Sequence, residues 1–167
     1  MTKSPSAEAI VAQLKRARVE FLPYLPDKMT ARIVAVAEHD PAFTVIPVSK
    51  EDEGVSICSA LWFGERRAVM VMQHTGFLDS INNVSRLASE MGQPVVMMVG
   101  LLEKEAGVKP TESRRFGIRV TEPMLDLLNI AHVLIERPGD EEQIAGLIDK
   151  AYETSKPLAI MIGAEVA

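Results

Sequence analysis

Short apolar runs alternate with amphipathic stretches along most of the chain. The runs cover residues 19–24, 43–48, 68–72, 94–99, 131–135 and 157–162. Those at 43–48 and 68–72 are rich in β-branched residues, which predicts strands buried on both faces. Between the runs, apolar residues recur at helical spacing. The alternation predicts a three-layer α/β/α fold with a mainly parallel six-stranded sheet, formed by residues 1–167 as a single domain.

Most of the predicted helices begin at a recognisable cap. Ser6 is expected to cap a first helix over residues 4–18, and Pro26 with Asp27 to open a second that ends near Glu38. The other predicted starts are Ser49 with Asp52, Asp79 for a helix running to Met91, Thr121 with Pro123, and Asp140 with Gln143. Residues 100–119 are charged and show no clear period, which indicates a functional or mobile connection.

Composition narrows the class of protein. Hydrophobic residues make up 47% and charged residues 25% of the 167, which is typical of a soluble globular chain. The net charge of −5 argues against a nucleic-acid binder, and no apolar run is long enough for a membrane span. The polar start predicts no signal peptide, and a single Cys fits a reducing cytoplasm. Three scattered His and one Cys give no metal-ligand spacing.

Two polar junctions follow predicted strands, at residues 49–54 and 73–76. Because ligands bind outside the carboxyl ends of parallel strands, these junctions are the first candidates for function. Acidic residues in a first helical turn interact favourably with the helix dipole, which explains the presence of Glu51 and Asp52 without a function. Glu53 precedes Gly54 and an apolar helix, so its carboxyl is expected to be partly desolvated and functional, or else to serve only the dipole. His74 is either a solvated loop residue or a ligand contact.

Nucleotide-binding and hydrolase motifs are absent from the sequence. It has no G-x-G-x-x-G, no G-x-x-x-x-G-K-[ST] and no G-x-S-x-G. Cys58 falls among apolar helix residues and is predicted to be core, as are most of the methionines.

The order of three separated motifs resembles the pyrimidine-binding domain of thiamine-diphosphate-dependent decarboxylases, above all the sulfopyruvate and phosphonopyruvate decarboxylases. That family has an E-G pair opening a helix, a strand ending M-Q-N-S-G, and a following S-x-N. The matching residues here are Glu53-Gly54, Met72-Gln73-His74-Thr75-Gly76, and Ser80 with Asn82. The sequence departs from the pattern at His74 and Thr75, and at Arg114 and Arg115, which stand near a position that is often His.

The resemblance implies a role for each motif. Glu53 is implied to be catalytic, hydrogen-bonding a ring nitrogen of the cofactor's aminopyrimidine. The implied cofactor contacts are Glu53, Gln73, His74, Thr75, Gly76 and Phe77. His74, Arg114 and Arg115 are the implied contacts for the substrate's acidic end, since Arg is well shaped to hold a sulfonate or phosphonate.

The chain lacks the G-D-G motif with which this family binds the diphosphate and Mg²⁺ of its cofactor. The resemblance therefore implies half of a site, completed by a diphosphate-binding β subunit that carries G-D-G and the metal ligands. The interface of this hetero-oligomer is expected to be an apolar patch at residues 77–83. The implied function is an α subunit that decarboxylates the 2-oxo acid 3-sulfopyruvate to sulfoacetaldehyde and CO2. The alternatives are phosphonopyruvate as substrate, a split acetolactate-synthase-like or oxo-acid–ferredoxin-like subunit, and a non-catalytic α/β binding module.

Overall fold

Six strands lie side by side in one all-parallel sheet in the computed structural model, which describes residues 4–167. The strands are Phe21–Tyr24 (β1), Thr44–Pro47 (β2), Val69–Gln73 (β3), Val96–Gly100 (β4), Ala131–Ile135 (β5) and Leu158–Ile162 (β6). Their order across the sheet is β2-β1-β3-β4-β6-β5, and each neighbouring pair is parallel. The predicted parallel six-stranded sheet is confirmed.

Helices cover both faces of the sheet. They are Ala7–Arg16 (α1), Ala31–Glu38 (α2), Glu51–Phe63 (α3), His74–Asp79 (α4), Ile81–Asn83 (α5), Phe116–Leu127 (α6) and Ile144–Thr154 (α7), with a π-helix at Val84–Glu90 and 3₁₀ turns at Pro110–Glu112 and Asp140–Gln143. One core packs α1, α2 and α7 against the sheet, and a second packs α3, α4, the π-helix and α6 against the opposite face. The three-layer α/β/α architecture is therefore confirmed. Between residues 4 and 167 no helix combines the length and apolarity needed to cross a bilayer.

The central strands are apolar along nearly their whole length because both faces are covered. In β3, Val69 and Val71 pack into one core, whereas Met70 and Met72 pack into the other. Each fully buried side chain of this size contributes about 1.5–3 kcal/mol of hydrophobic free energy. Such continuous apolar runs predicted β3, β4 and β6 closely.

The prediction that residues 43–48 are buried on both faces is wrong. β2 lies at the edge of the sheet and pairs only with β1. Val45 and Ile46 are half-buried, while Thr44 and Pro47 are exposed. Proline lacks an N–H group for a further ladder, so Pro47 suits an edge strand.

Helix starts were predicted with mixed success. Ser6 does cap α1, because its Oγ accepts a hydrogen bond from the Ala9 N–H at 3.3 Å. The second helix begins at Ala31, so Pro26 and Asp27 belong to the preceding turn. Asp140 does not cap a helix ahead of it. Its carboxylate accepts the N–H groups of residues 136 and 137 behind it.

The sixth helix begins five positions before the predicted start, which makes the prediction at Thr121 and Pro123 wrong. α6 starts at Phe116 and carries Pro123 in its interior. The Thr121 hydroxyl donates to the Gly117 carbonyl at 2.7 Å, one turn back, instead of capping a new helix. Thr and Pro together suggested a first turn, but here both stand in a continuing helix.

Candidate active site

The candidate site lies where the direction of the chain reverses in the sheet. From β1 the chain moves to β2 on one side, whereas from β3 it moves to β4 on the other. Ligands of open parallel sheets bind outside the carboxyl ends of the strands at such a point. Here those ends carry Asp27 after β1, Gln73 and His74 at β3, and Gly100 at β4.

Residues 73–76 pass directly from β3 into a helix. Gln73 is the last residue of β3 and His74 the first of α4, so the predicted helix start at Asp79 is wrong. Phe77 is fully buried in the core beneath α4, while Leu78 is half-buried. The Phe77 side chain therefore belongs to the core and not to an exposed apolar patch at residues 77–83, and its cofactor contact stays a prediction.

His74 is buried and makes one hydrogen bond. Its side chain is 7% exposed, and Nδ1 lies 3.3 Å from the Gly100 carbonyl oxygen. Since a carbonyl can only accept, Nδ1 carries the proton and Nε2 of the neutral ring is an acceptor. The ring also packs against the first turn of α6, where an added Cβ at Gly117 would lie 3.0 Å from Nε2. Burial lowers the pKa of His74, opposed by the Gly100 hydrogen bond and the charge of Asp27.

This burial predicts a pH-dependent stability. Because the pKa of His74 is lower in the folded chain than the usual 6.5, the unfolded chain binds the proton more readily. The stabilising contribution is fully present above pH 6.5 and is lost as the pH falls below it. Between about pH 8 and about pH 5, the urea midpoint should fall more for the wild type than for His74→Asn, which does not titrate. Parallel declines for the two proteins would contradict this.

The three acids of the first turn of α3 differ in environment. The predicted cap at Ser49 with Asp52 is not formed, since α3 is preceded by Lys50 without a side-chain cap. Glu53 is exposed, and its Oε2 accepts the Ser49 N–H at 2.9 Å. The expected desolvation of Glu53 is therefore not found in this chain. Glu51 is half-buried instead, and its carboxyl lies so close to Gly76 that an added Cβ there would overlap it.

Asp27 belongs to the site, although its sequence context suggested only a helix start. Its side chain is 6% exposed. Oδ1 accepts from Gln73 Nε2 at 3.0 Å, and Oδ2 accepts from the Thr30 hydroxyl at 3.2 Å. Oδ2 also occupies the space that a Cβ at Gly100 would need. The available signal was its position: an acidic residue just past a strand, at the same edge of the sheet as residues 73–76.

The segment between β4 and α6 is held by Glu105. Its carboxylate accepts from the Ser113 hydroxyl at 2.6 Å and the Arg114 N–H at 3.0 Å, and the first of these does most to lower the pKa of Glu105 to about 2. Arg114 and Arg115 are exposed just before the first turn of α6, and Arg115 pairs with Glu103 at 2.6 Å. Within residues 4–167, neither arginine bonds to His74. Gly117, in the first turn of α6 that follows them, lies against the His74 ring.

The side chains at this edge offer hydrogen-bonding groups to a ligand. The half-buried Glu51 carboxyl, whose side chain lies against Gly76, can accept a hydrogen bond from a ligand or, when protonated, donate one. Among residues 4–167, no three His, Cys, Asp or Glu side chains are grouped to hold a metal ion.

Comparison with known proteins finds three relatives that share one name. No protein-family model matches the chain. A relative from Methanothermobacter thermautotrophicus is 26% identical over 96% of each chain. One from Methanocaldococcus jannaschii is 23% identical over 93% of this chain and 92% of its own, and one from Methanococcus maripaludis is 24% identical over 56% of each. All three are named sulfopyruvate decarboxylase subunit alpha.

The similarity covers the whole architecture. Two of the alignments span more than nine-tenths of both chains, so they include the acidic turn of α3 and the β3–α4 junction. The relatives are enzyme subunits by name, and "alpha" implies that each assembles with another subunit.

Proposed function

We propose that this chain is the α subunit of a thiamine-diphosphate-dependent decarboxylase acting on 3-sulfopyruvate, with sulfoacetaldehyde and CO2 as products. The observation that carries the proposal is the similarity to a sulfopyruvate decarboxylase α subunit along 96% of both chains. The polar cluster at the switch point of the sheet supports it, because this is where an α/β enzyme of this topology binds a ligand.

The acidic turn of α3 supplies the carboxyl for the pyrimidine ring in this proposal. Thiamine diphosphate supplies, when bound, a nucleophilic carbon and an acceptor for the electrons left by CO2. The chain's part is to hold and exchange a proton at a ring nitrogen. The family motif assigns this role to Glu53. The geometry favours Glu51, because its carboxyl is half-buried beside Gly76 whereas that of Glu53 is exposed.

The start of α6 is proposed to hold the substrate's acidic end. Arg114 and Arg115 precede the positive end of the helix dipole, and His74 lies against Gly117 in the first turn. A sulfonate accepts hydrogen bonds and carries charge, so it suits guanidinium groups and helix N–H groups.

Removing either arginine is expected to weaken binding of the anionic substrate. Arg114→Ala and Arg115→Ala should each raise KM for 3-sulfopyruvate by about tenfold, the effect of one lost charge-assisted hydrogen bond. Steady-state kinetics of the assembled enzyme measure this. Arg18→Ala is the control, because Arg18 is exposed and pairs with Asp149 away from the site. Unchanged KM in both site variants would show that the arginines are solvated loop charges.

The partner is proposed to cover the α3–α6 layer. The described chain exposes four large hydrophobic residues, Phe63, Met91, Phe116 and Leu127. All four lie in this layer or at its ends, and none lies in the α1–α2–α7 layer. A hetero-oligomer would bury them, and the partner would supply the G-D-G motif and the Mg²⁺ ligands.

The proposal is tested by co-purifying the chain with a G-D-G-containing subunit and assaying a panel of 2-oxo acids. 3-Sulfopyruvate should be consumed fastest, with phosphonopyruvate and pyruvate as comparisons. Preference for phosphonopyruvate would change the substrate but keep the reaction. Cofactor binding with no turnover of any acid would overturn the proposal in favour of a binding module.

A further inference from the structure

A chain of hydrogen bonds joins a buried carboxylate to the exposed edge of the site. Thr75 Oγ1 lies 2.7 Å from Gln73 Oε1, and Gln73 Nε2 lies 3.0 Å from Asp27 Oδ1. Thr30 donates to the other oxygen of Asp27. Asp27 is buried, Gln73 is half-buried and Thr75 is exposed, so the chain runs from the interior to the surface.

Asp27, at the buried end of this series of hydrogen bonds, determines which group donates and which accepts in each bond. Asp27 accepts a hydrogen bond at each carboxylate oxygen, so Gln73 presents its NH2 group to Asp27. Its carbonyl oxygen then faces Thr75, whose hydroxyl must donate its single proton to that oxygen. The lone pairs of Thr75 Oγ1 remain for a ligand at the surface of the site.

We propose that Asp27 is a positioning residue of this site, which acts through Gln73 to present the Thr75 hydroxyl as a hydrogen-bond acceptor. The inference rests on the proposed function in taking the β3–α4 junction as the ligand site. The proposal also assigns hydrogen-bond donors and acceptors of the ligand to different parts of the site. A ligand N–H or O–H group binds at Thr75, while an acceptor-only sulfonate is excluded there and binds at the start of α6.

The neighbours of Asp27 hold its carboxylate in place. Met29 and the Asp27 carboxylate together fill the space beside Gly100, so the carboxylate cannot shift toward β4 without a clash. Both of its oxygens are already hydrogen-bonded, and unpaired buried acceptors are costly. The carboxylate therefore holds Gln73 in one orientation.

Asp27→Asn removes the constraint with little change in size. Asparagine can donate or accept, so the Gln73 amide can turn over and the Thr75 hydroxyl can donate outward. In ¹H–¹⁵N spectra of the full chain with glutamine labelled, the Gln73 side-chain NH2 signals should move and broaden in Asp27→Asn. Asp79→Asn is the matched control, because Asp79 is on α4 and exposed. Unmoved Gln73 signals in Asp27→Asn would overturn the proposal whatever the enzyme's activity.

A double-mutant cycle on the assembled enzyme tests the functional part. Asp27→Asn and Thr75→Val should each lower kcat/KM by about tenfold. The double variant should lose little more, because each change removes the same fixed acceptor at position 75. Losses that multiply to about a hundredfold would show that Asp27 acts independently of Thr75. Asp79→Asn combined with Thr75→Val should add nothing. If no 2-oxo acid is turned over by the wild type, the proposed function fails, and the spectra still decide the role of Asp27.

Discussion

Replacing Glu51 by Gln should slow decarboxylation by the assembled enzyme about a hundredfold or more, the usual cost of losing a general acid–base group. Gln keeps the size and can still hydrogen-bond beside Gly76, but it cannot exchange a proton. The complex should still assemble, and stability should change by at most about 1 kcal/mol. Decarboxylation rate and proton exchange at the cofactor's reactive carbon, followed by NMR, are the measurements.

Glu53→Gln and Asp52→Asn are the matched controls, since both acids share the first turn of α3 with Glu51. Small effects at these two positions are expected. Gly76→Ala should reproduce much of the Glu51 defect with little loss of stability, because the new methyl displaces the flexible Glu51 side chain. A large effect at Glu53 and none at Glu51 would return the role to the motif residue. Equal small effects at all three acids would show that they only interact with the helix dipole and have no catalytic role.

The purified chain should bind thiamine diphosphate weakly and show no decarboxylation until a G-D-G-containing subunit is added. The reason is the proposed half-site: within residues 4–167 no three His, Cys, Asp or Glu side chains are grouped to hold a metal ion, and the partner is proposed to supply those ligands. Calorimetry of cofactor binding and the decarboxylation rate, with and without the partner, measure the effect.

Leu127→Asp would test the proposed interface in the same assay. A charge at this exposed position of α6 should weaken assembly, whereas a charge at Ala12, which is exposed on α1, should not. Robust turnover by the chain alone would contradict the half-site, and assembly that withstands the Leu127 change would move the interface elsewhere.

The sequence predicted the fold better than it predicted the helix starts. Strands β3, β4 and β6 were recognised because strands covered on both faces leave continuous apolar runs, as at residues 69–72. The edge position of β2 was missed because an apolar run of the same kind need not be central. Thr121 and Pro123 misled because a proline is tolerated in a first turn, yet here it stands inside α6.

The sequence places the candidate site at the strand ends, and this placement stays a prediction; the structure adds inner residues to it that the sequence did not single out. Local spacing cannot show which of three adjacent acids faces Gly76, because that depends on how α4 packs against α3. Asp27 was missed for the same reason. Its burial depends on Gly100 and Gln73, which belong to other strands, and after Pro26 it looked like an ordinary helix start.

The sheet order has a consequence for how the chain folds. β6 is the last strand along the chain, yet it lies between β4 and β5 and pairs with both. Among the six strands of residues 4–167 no two form a hairpin, so each pairing must await a crossover, which makes folding slow. Until β6 inserts, β4 and β5 each present an unpaired edge to other chains. Truncation before Leu158 should therefore yield aggregates, because β6 is the strand that joins β4 to β5 and completes the sheet.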